Sequence, residues 1–251
     1  MIHFEPQQRF LITGASSGLG RAIAIQLCDL GATVIALART ESKLLSLKKE
    51  TLHPENIIAI PFDLSDLDGI SSTIKGIVSK YGKLTGLVHS AGIGGVEPLK
   101  ALTLESAKSL FDLNYFAALM VTKAFCDKRI YDTNPSIVLL SSISSLYGNA
   151  GLTNYSASKG AINAMVQAVA IEQARNKIRI NAVSPGFIVT DIVQHSPQVY
   201  NEAFFEQIQQ EYPLGEGHPG DVASMVSFLL SKQARWITGQ NFVVDGGRTL
   251  L

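Results

Sequence analysis

The sequence predicts an α/β fold, a parallel sheet with helices on both of its faces. Three observations predict it. Short apolar runs alternate along the chain with longer segments of helical periodicity. The first run, residues 10–13, leads into a glycine-rich turn, a helical segment and a second run at 33–38, the strand–turn–helix–strand order of half a dinucleotide-binding fold. No linker, repeat or low-complexity segment interrupts the 251 residues, which read as a single domain spanning 1–251.

The elements come in order. After Phe10-Leu11-Ile12-Thr13 the turn reads Gly14-Ala15-Ser16-Ser17-Gly18-Leu19-Gly20. Gly14 permits a sharp turn, Gly18 lets backbone approach a ligand, and Gly20 lets the next helix pack closely. That helix carries Ala22, Ile23, Ile25, Leu27, Cys28 and Leu30, and ends at Gly31. Its free N–H groups would face a pyrophosphate. The strand at 33–38 ends in Ala38-Arg39-Thr40, with no acidic residue before Glu41. An acid there would bind the adenosine 2′-hydroxyl of NAD, whereas an arginine accommodates the 2′-phosphate of NADP. Arg39 can fork onto that phosphate, with Thr40 and Ser16 adding hydroxyls; the alternative is a solvated surface arginine.

A helix is predicted at 43–50 and a strand at 57–61. Asp63 then stands either as an acceptor for the adenine amino group or as a helix N-cap, with Ser65 and Asp66 as rival caps. A helix at 71–81 stops at Gly82, and a strand at 84–89 enters Ser90-Ala91-Gly92-Ile93-Gly94-Gly95, small residues that keep a crevice floor open. Residues 103–128 read as one long helix with Asn114 inside its apolar stripe, either a kink or a helix-pairing amide. Strands are predicted at 137–140, 178–183 and 241–244, helices at 155–174 and 219–230, and a polar helical insertion at 192–211 within a substrate loop of about 187–212.

Composition sets the limits. The 21 basic and 21 acidic residues cancel, so nothing points to nucleic acid or an anionic membrane as a partner. No apolar run approaches the length of a membrane span, and residues 1–9 lack the pattern of a signal peptide. Cys28 and Cys126 read as buried free thiols, and the 5 histidines form no ligand-spaced cluster, so no metal site is predicted. A soluble cytoplasmic protein is expected.

Chemistry is concentrated in Tyr155-Ser156-Ala157-Ser158-Lys159. On a helix, residues four apart share a face. The Lys159 ammonium would then favour the Tyr155 phenolate and lower the phenol's pKa, tuning it for proton transfer near neutrality.

Over essentially its whole length the chain resembles the short-chain dehydrogenase/reductase family. The motifs are Thr13-Gly14-x-x-x-Gly18-x-Gly20, Asp63, Ala91-Gly92, Asn114, Ser142, Tyr155-x-x-x-Lys159, Pro185-Gly186 and Asp245-Gly246-Gly247. The resemblance implies a Rossmann-like, doubly wound, seven-stranded sheet, an NAD(P) cofactor and a homotetramer or homodimer. It implies a tetrad of Asn114, Ser142, Tyr155 and Lys159, with Ser144 as the fallback serine. Tyr155 would donate a proton, Ser142 would bind the carbonyl oxygen, and Asn114 would hold a water that reprotonates the site through Lys159. Cofactor contacts carry over to the glycine loop (Gly14, Ser16, Ser17, Gly18, Leu19, Gly20), to Arg39 and Thr40, and to Asp63 and Leu64. They continue through Ala91 and Gly92, Tyr155 and Lys159 on the nicotinamide ribose, and Pro185, Gly186, Ile188 and Thr190 around the nicotinamide.

Three features depart from the family pattern or narrow it. His89-Ser90 stands where the family commonly has two asparagines, removing amides that brace the central strand; His89 reads as structural. Ser17 occupies the place where NADP-preferring members often carry a second basic residue. The tail, with Trp236-Ile237-Thr238-Gly239-Gln240 and Val244-Asp245-Gly246-Gly247, resembles the 3-oxoacyl-carrier-protein reductase subgroup. Docking an acidic carrier wants basic residues, and 131–135 has none; Arg175, Lys177 and Arg179 are the candidates to replace them. Ile93, Val96, Leu146, Tyr147, Phe187 and Phe204 would line the substrate side, with Ile93, Tyr147 and Phe187 joining Ser142 and Tyr155 in contact. The reading is an NADPH-dependent reductase of a ketone or aldehyde, a small-molecule substrate. The alternatives are an NAD-dependent alcohol dehydrogenase and a non-catalytic NADP(H) sensor.

Overall fold

Seven strands form one sheet in the order β3-β2-β1-β4-β5-β6-β7, and every neighbouring pair is parallel. The computed structural model describes residues 2–190 and 202–251. The stretch 191–201 of the predicted insertion, and the side chain of Phe204, lie outside the described residues. The strands are β1 (Arg9–Thr13), β2 (Thr33–Ala38), β3 (Ile57–Pro61), β4 (Leu84–His89), β5 (Tyr131–Leu140), β6 (Arg179–Pro185) and β7 (Asn241–Val244). The helices are α1 (Gly18–Asp29), α2 (Glu41–Ser46), α3 (Gly69–Tyr81), α4 (Leu104–Phe111), α5 (Ala117–Phe125), α6 (Thr153–Gln173), α7 (Glu202–Glu211) and α8 (Pro219–Leu230).

A parallel sheet covered on both faces buries both sides of its strands, which explains the near-continuous apolar runs. In β1 the alternation still sorts the two cores. Phe10 and Ile12 pack with Ile23 and Leu27 of α1 and with Val222 and Val226 of α8. Leu11 turns to the opposite face, with Ile74 of α3, Val121 of α5 and Val166 of α6. Each such large side chain, fully buried, stabilises the fold by roughly 1.5–3 kcal/mol. Phe4 joins the first core against Phe10, although the first nine residues read as polar.

Boundaries shift by one or two residues at β1, α6 and β6, and four differences are larger or have a visible cause. The second helix starts at Glu41 and closes in a 3-10 turn, Leu47–Lys49. Helix α3 begins at Gly69, where the Asp66 carboxylate accepts the Gly69 N–H at 3.0 Å. Strand β5 starts at Tyr131, not 137. The single helix predicted at 103–128 is three segments: α4, a π-helical turn at Asp112–Phe116, and α5.

Strand order reverses direction between β1 and β4, and ligands of such sheets lie at that switch point, beyond the carboxyl ends of the strands. There Thr13 sits opposite His89 in register, and Thr13 Oγ1 lies 3.0 Å from His89 Nδ1. Thr13 Oγ1 also accepts the Ala91 N–H at 3.4 Å. The imidazole is thus the brace that replaces the missing amides. It is 2% exposed, and burial, reinforced by the Lys159 charge, holds its pKa down at about 3. Between pH 6.5 and about 3 the unfolded chain takes up a proton that the folded imidazole refuses, so stability falls as pH drops through this window. His89→Asn is expected to flatten that acid limb in urea titrations run from pH 7 to pH 4; an unchanged slope would remove His89 as its source.

Candidate active site

The glycine turn is shaped by two close approaches. Gly14 has φ +68°, and a Cβ there would lie 2.7 Å from the Ala91 nitrogen, so only glycine lets β1 turn beside β4. Gly18, at φ +53°, faces Thr190, whose Cγ2 would be 3.7 Å from a Cβ. Gly20 packs directly on the Gly14 carbonyl. The turn leaves α1 pointing its N-terminus at a cleft of about 1330 Å³ over the ends of β1, β2 and β4.

Gly14, Ser16, Ser17, Gly18, Leu19, Arg39, Thr40, Asp63 and Leu64 line one end of this cleft. Ala91, Gly92, Ile93, Tyr155, Lys159 and Thr190 also line it. Asp63 does not cap α3; its Oδ1 accepts the Ser65 N–H at 3.0 Å. That bond, chiefly, and the nearby Arg39 guanidinium hold its carboxyl below the usual range. Lys43, from the first turn of α2, joins Arg39 on the same wall. The sequence signal was present, since α2 starts two residues after Arg39 and brings its first turn back toward the β2 end.

Tyr155 and Lys159 stand on the first two turns of α6. Lys159 is 6% exposed and donates to the Leu140 carbonyl at 2.9 Å, and its nitrogen lies 5.8 Å from the Tyr155 ring centre. Burial brings its pKa down to about 8. The Tyr155 pKa is raised by burial, with the Ser142 hydroxyl opposing. The expectation of a phenol lowered by Lys159 is therefore corrected: desolvation by burial raises it, and Lys159 donates instead to the Leu140 carbonyl. Of the two candidate serines, it is Ser142 whose hydroxyl acts on the phenol, and Ser144 Oγ accepts from Ser142 Oγ at 3.1 Å.

Asn114 occupies the π-helical turn and is 1% exposed. Its Oδ1 accepts the Ile93 N–H and its Nδ2 donates to the Ile93 carbonyl, each at 2.8 Å. Nδ2 also lies 3.2 Å from Ser158 Oγ. A Cβ on Gly92 would fall 3.0 Å from Asn114 Oδ1 and 3.5 Å from Lys159 Nζ, so these three groups meet beneath the cleft. Both sequence alternatives for Asn114 are met: it sits in a helix-breaking turn, and its amide clamps the β4 loop and bonds across to Ser158 of α6. Ser158 escaped the sequence reading, although it lies three residues after Tyr155 on the same helix face.

Gly20, Ser142, Pro185, Gly186, Ile188, Tyr147 and Phe187 are not among the residues lining this cleft. Pro185 ends β6, and the Gly186 N–H bonds to the Val244 carbonyl at 2.9 Å. Ile188 pairs with Gly217. Tyr147 and Phe187 pack in a separate small cluster with Ile143, Ile208 and Tyr212. Among the described residues no group of acidic, histidine and cysteine side chains fits a metal ion, no disulfide forms, and no helix is long and apolar enough to cross a membrane. Cys28 is buried, as expected, whereas Cys126 is only partly so.

Known proteins share this arrangement. A family profile described as enoyl-(acyl carrier protein) reductase matches residues 14–249. A 3-oxoacyl-(acyl-carrier-protein) reductase of Thermotoga maritima is 37% identical over 239 residues, 94% of this chain and 96% of the relative. A short-chain type dehydrogenase/reductase from Mycobacterium ulcerans superposes with a TM-score of 0.90 at 28% identity, covering 99% of this chain and 91% of that one. The aldohexose dehydrogenase of Thermoplasma acidophilum superposes with a TM-score of 0.85 at 30% identity, over 97% and 94%. Sheet order, glycine turn and relatives agree, and the chain belongs to the short-chain dehydrogenase/reductase family of oxidoreductases, on its 3-oxoacyl-(acyl-carrier-protein) reductase-like side.

Proposed function

We propose that this chain, acting as one domain over 1–251 with its substrate loop at 187–212, reduces the carbonyl of a ketone or aldehyde using NADPH, with Tyr155 as general acid. The observation that carries this reading is Tyr155 one helical turn from a buried Lys159, whose nitrogen lies 5.8 Å from the ring centre, in a cleft also lined by Arg39 and Lys43. The relatives named as 3-oxoacyl-(acyl-carrier-protein) reductases support the reaction class.

The residues fit the cofactor. The side-chain-free Gly18 leaves room beside Thr190, and two cations share the wall where a 2′-phosphate would sit. A bound NADPH would supply the hydride. Ser142 then offers a hydrogen bond to the carbonyl oxygen as charge develops there. Tyr155, kept protonated by its raised pKa, gives that oxygen its proton. Lys159 holds its charge near neutrality and limits the cost of the phenolate left behind. Asn114 fixes the Ile93 backbone and so the floor above which the carbonyl is held. The assembly is proposed as a homotetramer or homodimer.

Lys159 sets an alkaline limit. Its ammonium is lost as pH rises through about 8, so kcat/KM for reduction is expected to fall above that pH. Lys159→Met, with a lower but flat profile from pH 7 to pH 10, is the matching control; a wild-type profile flat to pH 10 would overturn this role. The reading itself is tested by following NADPH and NADH consumption over a panel of ketones, aldehydes and 3-oxoacyl thioesters. Turnover with NADPH preferred supports it. Turnover only of alcohols with NAD turns the assignment toward a dehydrogenase, and tight NADPH binding without turnover toward a sensor.

A further inference from the structure

The third cluster, away from the cleft wall, is organised by a residue near the end of the chain. The turn Asp245-Gly246-Gly247 places it. The Asp245 carboxylate accepts the Gly247 N–H at 3.0 Å and the Thr249 N–H at 2.8 Å. Gly246 and Gly247 have φ of +59° and +90°, and they lie against Leu214 and Pro213, the segment that leaves α7. The Leu214 N–H bonds to the Gly246 carbonyl at 3.0 Å. Between these fixed points the Arg248 side chain is carried inward, and its Nε is buried without an acceptor.

The guanidinium meets three groups. It lies 4.9 Å from the centre of the Tyr147 ring and 6.0 Å from that of Tyr212. Its Nη2 pairs with the last residue of α7, Glu211, at 3.1 Å. Tyr212 OH accepts the Phe187 N–H at 3.1 Å. One cation therefore touches the loop that follows Ser142 (Tyr147), the end of α7 (Glu211), and, through Tyr212, the loop that follows β6 (Phe187). Those three segments are the ones expected to surround a substrate. Cation–π contacts of this kind strengthen when water is excluded, and the Arg248 side chain is only 19% exposed.

We propose that Arg248 is a positioning residue that clamps α7 to the Tyr147 loop and thereby sets which carbonyl substrates the site accepts. The bearing on substrate rests on the reductase reading above; the clamp itself does not. The clamp makes α7 a lever held at its C-terminal end, where Glu211, Tyr212 and Leu214 are tied.

The test uses the full chain and the variants Arg248→Leu, Arg248→Lys and Glu211→Gln. Amide hydrogen exchange without ligand is expected to rise about tenfold across 205–214 in Arg248→Leu, less in Arg248→Lys, and not at all in β1 and β4. In steady-state kinetics with the best carbonyl of the panel, KM for that substrate is expected to rise about tenfold, while kcat and KM for NADPH stay within about twofold. Unchanged exchange across 205–214 overturns the clamp, and exchange raised throughout the sheet overturns it in favour of a general stability effect. Raised local exchange with an unchanged substrate KM overturns the specificity role. If the wild-type chain turns over no carbonyl, the reductase reading falls while exchange still decides the clamp. Should Arg248→Leu fail to fold, Glu211→Gln, which alters only a half-buried pair, carries the same outcomes.

Discussion

Tyr155→Phe is expected to lower kcat for carbonyl reduction by about 10²–10⁴-fold, the usual worth of a positioned general acid. The ring stays, so its packing and the α6 helix stay with it; only the hydroxyl goes. Lys159 cannot take over as proton donor from where it stands, because it is turned to the Leu140 carbonyl and lies 5.8 Å from the ring centre. NADPH affinity is expected to change by less than about threefold, since the phosphate-facing wall is at the other end of the cleft. Fluorescence titration of NADPH beside single-turnover reduction separates the two. A variant that keeps a tenth or more of its turnover would leave Tyr155 without the acid role.

Arg39→Asp is expected to reverse cofactor preference. Arg39 and Lys43 share the cleft wall with Asp63, and a carboxylate at 39 would repel a 2′-phosphate and accept from a free 2′-hydroxyl. Removing a charge-assisted hydrogen bond and adding a repulsion is expected to reduce kcat/KM with NADPH by about a hundredfold, while the value with NADH rises. The loss is expected to shrink as ionic strength increases, because the wall is open to solvent. Lys43→Ala added to Arg39→Asp should deepen the reversal if Lys43 contacts the same phosphate. Measuring kcat/KM for both cofactors at two salt concentrations checks this, and an unchanged ratio would relieve Arg39 of its assigned part.

Much of the fold was legible in the chain. The strands at 33–38, 57–61, 84–89 and 241–244 have the predicted ends, because each is a mostly apolar run that ends in proline or has a charged residue on one side. The start of β5 was hidden because Tyr131-Asp132-Thr133-Asn134-Pro135 is polar and pairs through an irregular register, with Leu84 opposite Tyr131 and Gly86 opposite Ser136. The Tyr155 pKa went the other way because burial is a property of the assembled site. Spacing on a helix shows that two side chains share a face, not where the ammonium spends its hydrogen bonds. Lys43 and Ser158 were missed for the same reason: each acts through a neighbour from another element or turn. Tyr147 and Phe187 were singled out as substrate contacts, and the structure gathers both around Tyr212 and Arg248, a residue no motif marked.

The π-helical turn at Asp112–Phe116 has a consequence for how a helix can serve two masters. One surplus residue per such turn advances everything before it by about 100° of azimuth relative to the residues after it. This phase offset lets α4 show Glu105 and Lys108 to the cleft while α5 sinks Ala117, Ala118 and Val121 into the core. Deleting a single residue between 112 and 116 would heal the spiral into one unbroken cylinder. The charged flank would then swing off the cofactor mouth with every core contact of α5 left in place.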